Sequence, residues 1–190
     1  MAVAGLTSVG SAQVRLGLEY GRVAFSGGSE PATAADTFYL TANGPDQWRG
    51  RVGYSLVAWE FSIAGTYSKA GLAVPADNDF RFVDGAGLKF LALEPGLARR
   101  LSGLGTSSSL WVEVGPSFTV WTMAGQDPRT KVGAWAAGLL RQKLAGAFDT
   151  NVRLFAARGP SFLEDSDNVP GIKVTPIWRY GVSIGLDFKF

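Results

Sequence analysis

The chain has 190 residues and is 46% hydrophobic but only 18% charged, against roughly 25% charged in a typical soluble domain. No apolar run approaches the ~18 residues of a membrane-spanning helix, so a membrane would have to be crossed by strands. The formal charge of +2 comes without a basic block, which argues against nucleic acid as a partner, and the absence of Cys and His removes disulfides, thiolate metal sites, the commonest general base and the commonest metal ligand.

Residues 1–12 precede the first strand pattern and form an N-terminal extension or the remnant of a signal peptide. Ala2-Val3-Ala4-Gly5-Leu6 is apolar, and Gly10-Ser11-Ala12 has the small-x-small form of a signal-peptidase site, but no basic segment precedes it. From Gln13, residues alternate. Val14, Leu16, Leu18 and Tyr20 oppose Arg15, Gly17, Glu19 and Gly21. Trp48, Val52, Tyr54 and Leu56 oppose Arg49, Arg51, Gly53 and Ser55, and after the turn Val57-Ala58, Trp59, Phe61, Ile63 and Tyr67 oppose Glu60, Ser62, Ala64, Thr66 and Ser68. Successive strand side chains face opposite sides of a sheet, so each segment reads as a strand with one apolar face.

A strand is expected within Phe82–Leu101, with Leu91, Leu93 and Leu97 opposite Glu94 and Gly96 and an irregularity at Pro95. Val112, Val114, Phe118 and Val120 oppose Glu113, Gly115, Ser117 and Thr119. Lys131–Gln142 fits a strand, though its apolar residues also fit a helical period. Val152, Leu154 and Ala156 oppose Asn151 and Arg153. The last thirteen residues alternate without a break: Trp178, Tyr180, Val182, Ile184, Leu186, Phe188 and Phe190 on one face, Arg179, Gly181, Ser183, Gly185, Asp187 and Lys189 on the other. Thirteen residues at ~3.3 Å each, tilted by ~40°, project to about 33 Å, enough for an apolar band of ~25 Å and an aromatic girdle at each end.

Eight strands result. Their connections begin with a long one (Ser26–Gln47) and a two-residue one. Residues 69–81 and 158–175 are also long, and within the first connection Thr37–Thr41 is apolar enough to extend a strand or pack over a barrel mouth. An all-β, eight-stranded antiparallel up-and-down transmembrane β-barrel over residues 13–190, with short periplasmic turns and longer external loops, is the expected fold. Glycine among the polar-parity positions sets its sidedness. On a solvent face it weakens a strand for no gain, whereas inside a narrow barrel it makes room for long charged side chains. The lumen is therefore expected to hold a salt-bridged cluster of Arg15, Glu19, Arg49, Arg51, Glu60, Glu113, Arg179 and Asp187 with some water, and the membrane interfaces an aromatic girdle of Tyr20, Trp48, Trp59, Tyr67 and Trp178.

On these residues, and most sharply on the C-terminal strand ending in Phe190, the chain resembles the small eight-stranded bacterial outer-membrane barrels, the OmpA membrane domain, OmpX and the OmpW group. The resemblance implies a bacterial outer-membrane location and contact with outer-membrane lipid and lipopolysaccharide. It also implies insertion by periplasmic chaperones and the barrel-assembly machinery, with Tyr180, Val182, Ile184, Leu186, Phe188 and Phe190 as the insertion signal. Oligomeric state is not readable from the sequence. The class includes membrane anchors, adhesins, narrow conduits and lipid-modifying enzymes, so fold does not fix function.

Enzymes of this class use a His-dependent Ser site, and the serines here (Ser107–Ser109, Ser161) lack an activating base in the sequence. The Gly85-Ala-Gly87 and Gly103-Leu-Gly105 pairs lack the lysine of a phosphate loop, and Glu164–Asn168 lacks EF-hand spacing and reads as a solvated loop tip. The expected function is non-enzymatic and cofactor-free: a structural, surface-binding or narrow-conduit barrel. The alternatives are a porin-like channel for small or hydrophobic solutes and, with sidedness reversed, a soluble lipocalin-like carrier.

Overall fold

A computed structural model describes residues 12–33, 40–44, 46–76, 79–83, 87–164, 167 and 170–190, with the backbone alone for 72–76 and 79–83. Residues 1–11, Thr37 to Tyr39, Gly85, Ala86 and Asp165, Ser166 and Asn168 of the acidic stretch lie outside them. The strands in chain order are β1 (Gln13–Pro31), β2 (Thr41–Asn43), β3 (Asp46–Leu56), β4 (Trp59–Lys69), β5 (Gly71–Ala76), β6 (Asp79–Val83), β7 (Lys89–Leu104), β8 (Ser108–Thr122), β9 (Arg129–Lys143), β10 (Phe148–Gly159) and β11 (Ile172–Lys189). Eight of them close a barrel in the order β1-β11-β10-β9-β8-β7-β4-β3, every neighbouring pair antiparallel. Closure matters because a strand edge in lipid would leave backbone N–H and C=O groups without partners.

Four local readings are refined. The eight barrel strands are joined by a separate three-stranded sheet, β2-β5-β6, built within the two long connections. Phe82 belongs to β6 in that sheet, and the barrel strand expected from Phe82 begins only at Lys89. Residues 131–142 are strand: β9 pairs with both β8 and β10. The β7–β8 pairing lapses between Leu93↔Phe118 and Leu97↔Val114, so Pro95 and Pro116, which have no N–H to donate, fall where no ladder bond is needed.

The termini of the barrel and the turns 57–58, 105–107 and 144–147 share one end, and the longer connections the other. In this architecture the first is the periplasmic end and the second the external one. The β3–β4 turn is two residues long and Val57 adopts φ 50°, the left-handed region such tight hairpins require. Burial alternates strictly along β3 and β4, with apolar residues outside. Ile63 is 58% exposed and Ile184 60%, while Arg49 and Glu113 are fully buried. Large aliphatic side chains therefore form a belt around the outside, and a membrane is the surrounding that makes this favourable.

Candidate functional site: the charged barrel interior

Antiparallel pairing places the polar-parity residues of adjacent strands on common rungs pointing inward. Two ion-pair networks result. Nearer the external end, Arg49 donates to Glu19 (Nη1–Oε1 3.1 Å) and to Glu94 (Nε–Oε2 3.4 Å) and lies 3.8 Å from Glu113; Arg179 bonds the other oxygen of Glu94, and Ser183 donates to Glu19 at 2.9 Å. Nearer the periplasmic end, Arg51 donates to Glu60 (2.5 Å) and Asp187 (2.8 Å), Arg141 reaches both oxygens of Glu60 (2.7 and 2.8 Å), and Arg15 donates to Asp149 (2.7 Å). Removing ions from water is costly, and multiple partners of opposite charge offset that cost.

The upper network is neutral once Arg153 is counted, while the lower carries one surplus cation because Lys189 also bonds Asp149 at 2.7 Å. The buried Arg153 guanidinium makes no hydrogen bond among the described residues and lies 5.0 Å above the Trp135 ring and 4.7 Å above Phe155, with the like-charged Arg49 and then Glu19, Glu94 and Glu113 as its electrostatic neighbours. The upper network then holds Arg49, Arg153 and Arg179 against Glu19, Glu94 and Glu113. The lower holds Arg15, Arg51, Arg141 and Lys189 against Glu60, Asp149 and Asp187. Near balance, seven cations against six carboxylates, lets thirteen charged groups share one narrow lumen with little net self-repulsion.

All eight sequence-selected lumen residues point inward. Arg15, Glu19, Arg179 and Asp187 sit on the two strands that meet at closure, yet each takes an ion-pair partner from another strand. Glu94, Arg141, Arg153 and Asp149 were not in the selected set. Glu94 and Arg153 carried the right parity; Arg141 lies on β9, where Trp135, Ala137 and Leu139 face inward and apolar residues also face outward, erasing the alternation.

The interior is not polar throughout. Toward the external end Phe25, Phe90, Trp121 and Phe162 pack with ring centroids 4.8–6.3 Å apart, joined by Leu88, Leu163 and Ile177. Phe162 and Leu163 come from the connection 160–171, and Leu40 from the first long connection packs on the same cluster. Arg129 ties that plug down, donating to Phe162 O (2.9 Å) and to both oxygens of Asp167 (2.5 and 2.6 Å), while Lys131 bonds Glu164 at 2.5 Å. Among the described residues, the acidic stretch thus meets basic side chains, which correlates with the downward shift of the Asp167 and Glu164 pKa values caused by those bonds.

Tyr20, Trp48, Trp59, Tyr67 and Trp178 all face outward. Tyr20, Trp48 and Tyr67 occupy one continuous rung across β1, β3 and β4 toward the external end, and Trp59 sits beside the periplasmic β3–β4 turn. On β11, Tyr180, Val182, Ile184 and Leu186 are exposed, as is Phe190 just beyond its end; Phe188 is half-buried against Phe148 and Phe190.

No protein-family model matches the sequence, and no curated protein is similar to it in sequence. Solved structures share its fold. Neisserial surface protein A (NspA) superposes with a TM-score of 0.58 at 11% identity, covering 94% of this chain and 97% of that one. The outer membrane protein OprG from Pseudomonas aeruginosa superposes with a TM-score of 0.56 at 12% identity, covering 94% and 95%. The fold is that of the small eight-stranded bacterial outer-membrane β-barrels. That architecture together with the oil-facing belt assigns the chain to the bacterial outer membrane.

Proposed function

We propose that the protein is a closed, non-enzymatic outer-membrane barrel that anchors and displays its external connections and passes no solute through its lumen. One observation carries this reading: above the periplasmic mouth the lumen is filled, first by two ion-pair networks and then by the Phe25–Phe90–Trp121–Phe162 cluster. An eight-stranded barrel is just wide enough for side chains to fill it. The external connections, including the sheet β2-β5-β6, then offer the surface for recognition, with outer-membrane lipid and lipopolysaccharide around the belt. Insertion by periplasmic chaperones and the barrel-assembly machinery, with the alternating C-terminal strand as the signal, is part of the same proposal. The interior hydroxyls of Ser55, Ser62 and Ser183 donate to carboxylates, which suits a structural role.

Single-channel recording in planar bilayers tests the reading. Purified wild-type barrel is expected to give no discrete conductance steps. Regular steps at neutral pH would replace it with the porin-like alternative.

A further inference from the structure

Below the lower network, at the periplasmic mouth, lies a cavity of about 400 Å³ that neither closure nor display requires. Five of its lining residues are cationic (Arg15, Arg100, Arg141, Lys143 and Lys189) and one, Asp149, is acidic. The charges are not evenly committed. Arg141 is held by Glu60, and Arg15 and Lys189 share Asp149 at 2.7 Å each. Arg15, Arg51, Arg141 and Lys189 face only Glu60, Asp149 and Asp187, so one positive charge is surplus where Arg15 and Lys189 meet Asp149. Arg100 and Lys143 make no ion pair among the described residues. Three positive charges are therefore left uncompensated around one concave space.

The rest of the lining suits an oxyanion. Ser107, from the turn between β7 and β8, and Ser108, the first residue of β8, offer hydroxyl donors, and Ser109 accepts a hydrogen bond from Trp111 Nε1 at 2.9 Å. Trp111 forms a wall, its ring 4.7 Å from the Arg141 guanidinium, so the aromatic face is already held by a cation. The volume falls within the ~300–1,000 Å³ range of small-molecule sites and exceeds what one inorganic ion fills. Guanidinium forks and ammonium groups converging with hydroxyls match the oxygens of a phosphate.

We propose that this vestibule binds a small phosphate-bearing anion from the periplasmic side, with Arg100, Lys143 and Lys189 as its charge partners and the Ser107 and Ser108 hydroxyls as further donors. The phosphate comes from a soluble ester or from a lipid headgroup at the barrel rim. The site is blind, because the ion-pair networks close it from above. Its side of the membrane rests on the proposed orientation, but binding by the barrel in detergent does not, so failure here and failure of the conductance experiment are distinguishable.

Titration calorimetry of the detergent-solubilised barrel at low ionic strength, with pyrophosphate as probe, tests it. Wild type is expected to bind. The Arg100→Ala/Lys143→Ala double variant is expected to bind at least ~10-fold more weakly, as the loss of one or two charge-assisted hydrogen bonds implies. A control, Arg22→Ala/Lys173→Ala, removes two positive charges from the external half and should bind like wild type. Heat-modifiable gel migration verifies that each variant is folded. Phosphatidylglycerol retained through delipidation by wild type and not by the double variant, without pyrophosphate binding, supports the headgroup as the source. Binding of neither probe, or binding that Arg100→Ala/Lys143→Ala leaves unchanged, overturns the proposal.

Discussion

Arg51 and Asp187 are joined across the barrel wall by a 2.8 Å bond that passes over Gly17, the residue paired with both of them on the intervening strand. A Cβ at position 17 would lie 2.3 Å from Asp187 Oδ1 and 3.5 Å from Arg51 Nε. Glycine is needed here for space, and the seam between the first and last strands is fastened through the gap it leaves. Gly17→Ala should push the carboxylate aside and destabilise the barrel by about 1–3 kcal/mol, the usual cost of overpacking. Reversible urea unfolding in lipid vesicles measures this; an unchanged midpoint would show that the Arg51–Asp187 bond is dispensable.

Arg153 is the cation that completes the upper network, and among the described residues it makes no hydrogen bond. Arg153→Met keeps most of its volume against Trp135 and Phe155 but leaves three carboxylates facing two guanidinium groups. We expect a loss of about 3 kcal/mol, as for other buried charges stripped of compensation. Adding Glu113→Gln restores neutrality and should recover most of that loss in the same unfolding measurement. A double variant no more stable than Arg153→Met would mean that aromatic packing, not charge balance, explains the burial.

Val57 holds φ 50° at the tip of the β3–β4 hairpin, a conformation costly for a β-branched residue. It is 74% exposed, so its side chain contributes little packing in return. Val57→Asn should therefore stabilise the barrel by ~1 kcal/mol. A lower unfolding midpoint in the variant would indicate that Val57 makes an interaction of its own in the membrane.

The external plug should open with acid, and only in strong acid. Arg129 holds the Asp167 carboxyl below its ordinary value, and Lys131 does the same for Glu164. A depressed folded pKa stabilises fully above the unfolded value of about 4, and the contribution is lost as pH falls through the folded value below it. Hydrogen exchange at the Leu163 amide, corrected for intrinsic rates, should show equal protection at pH 7 and pH 5 and loss only below about pH 4. Arg129→Ala should lose that protection at pH 7. Full protection in that variant would assign the closure to Phe162 packing alone.

What could be read from the sequence follows from where alternation is one-sided. On β1, β3, β4 and β11 the interior is charged or small and the exterior greasy, so period 2 identified strands, faces and most of the lower network. The signal fails wherever both faces are apolar. Trp135, Ala137 and Leu139 inside β9 match Ala136, Gly138 and Leu140 outside, which left a helix open and concealed Arg141. Near the external end the inner face turns aromatic at Phe25, Phe90 and Trp121, so parity alone could not foresee a hydrophobic plug above a charged lumen. β2, β5 and β6 are short, and β5 contains Pro75, so they carry little periodicity of their own.

Sidedness is the claim from which membrane residence, the ion-paired lumen and the closed barrel all derive. The chain has no cysteine, so single spin labels can be placed at Ile63, Leu93 and Ile184 without background. In lipid vesicles, power-saturation electron paramagnetic resonance should find all three labels relaxed by oxygen and shielded from a water-soluble nickel chelate. Labels at the same three sites reached by the chelate and not by oxygen would mean that water, not lipid, covers the aliphatic face.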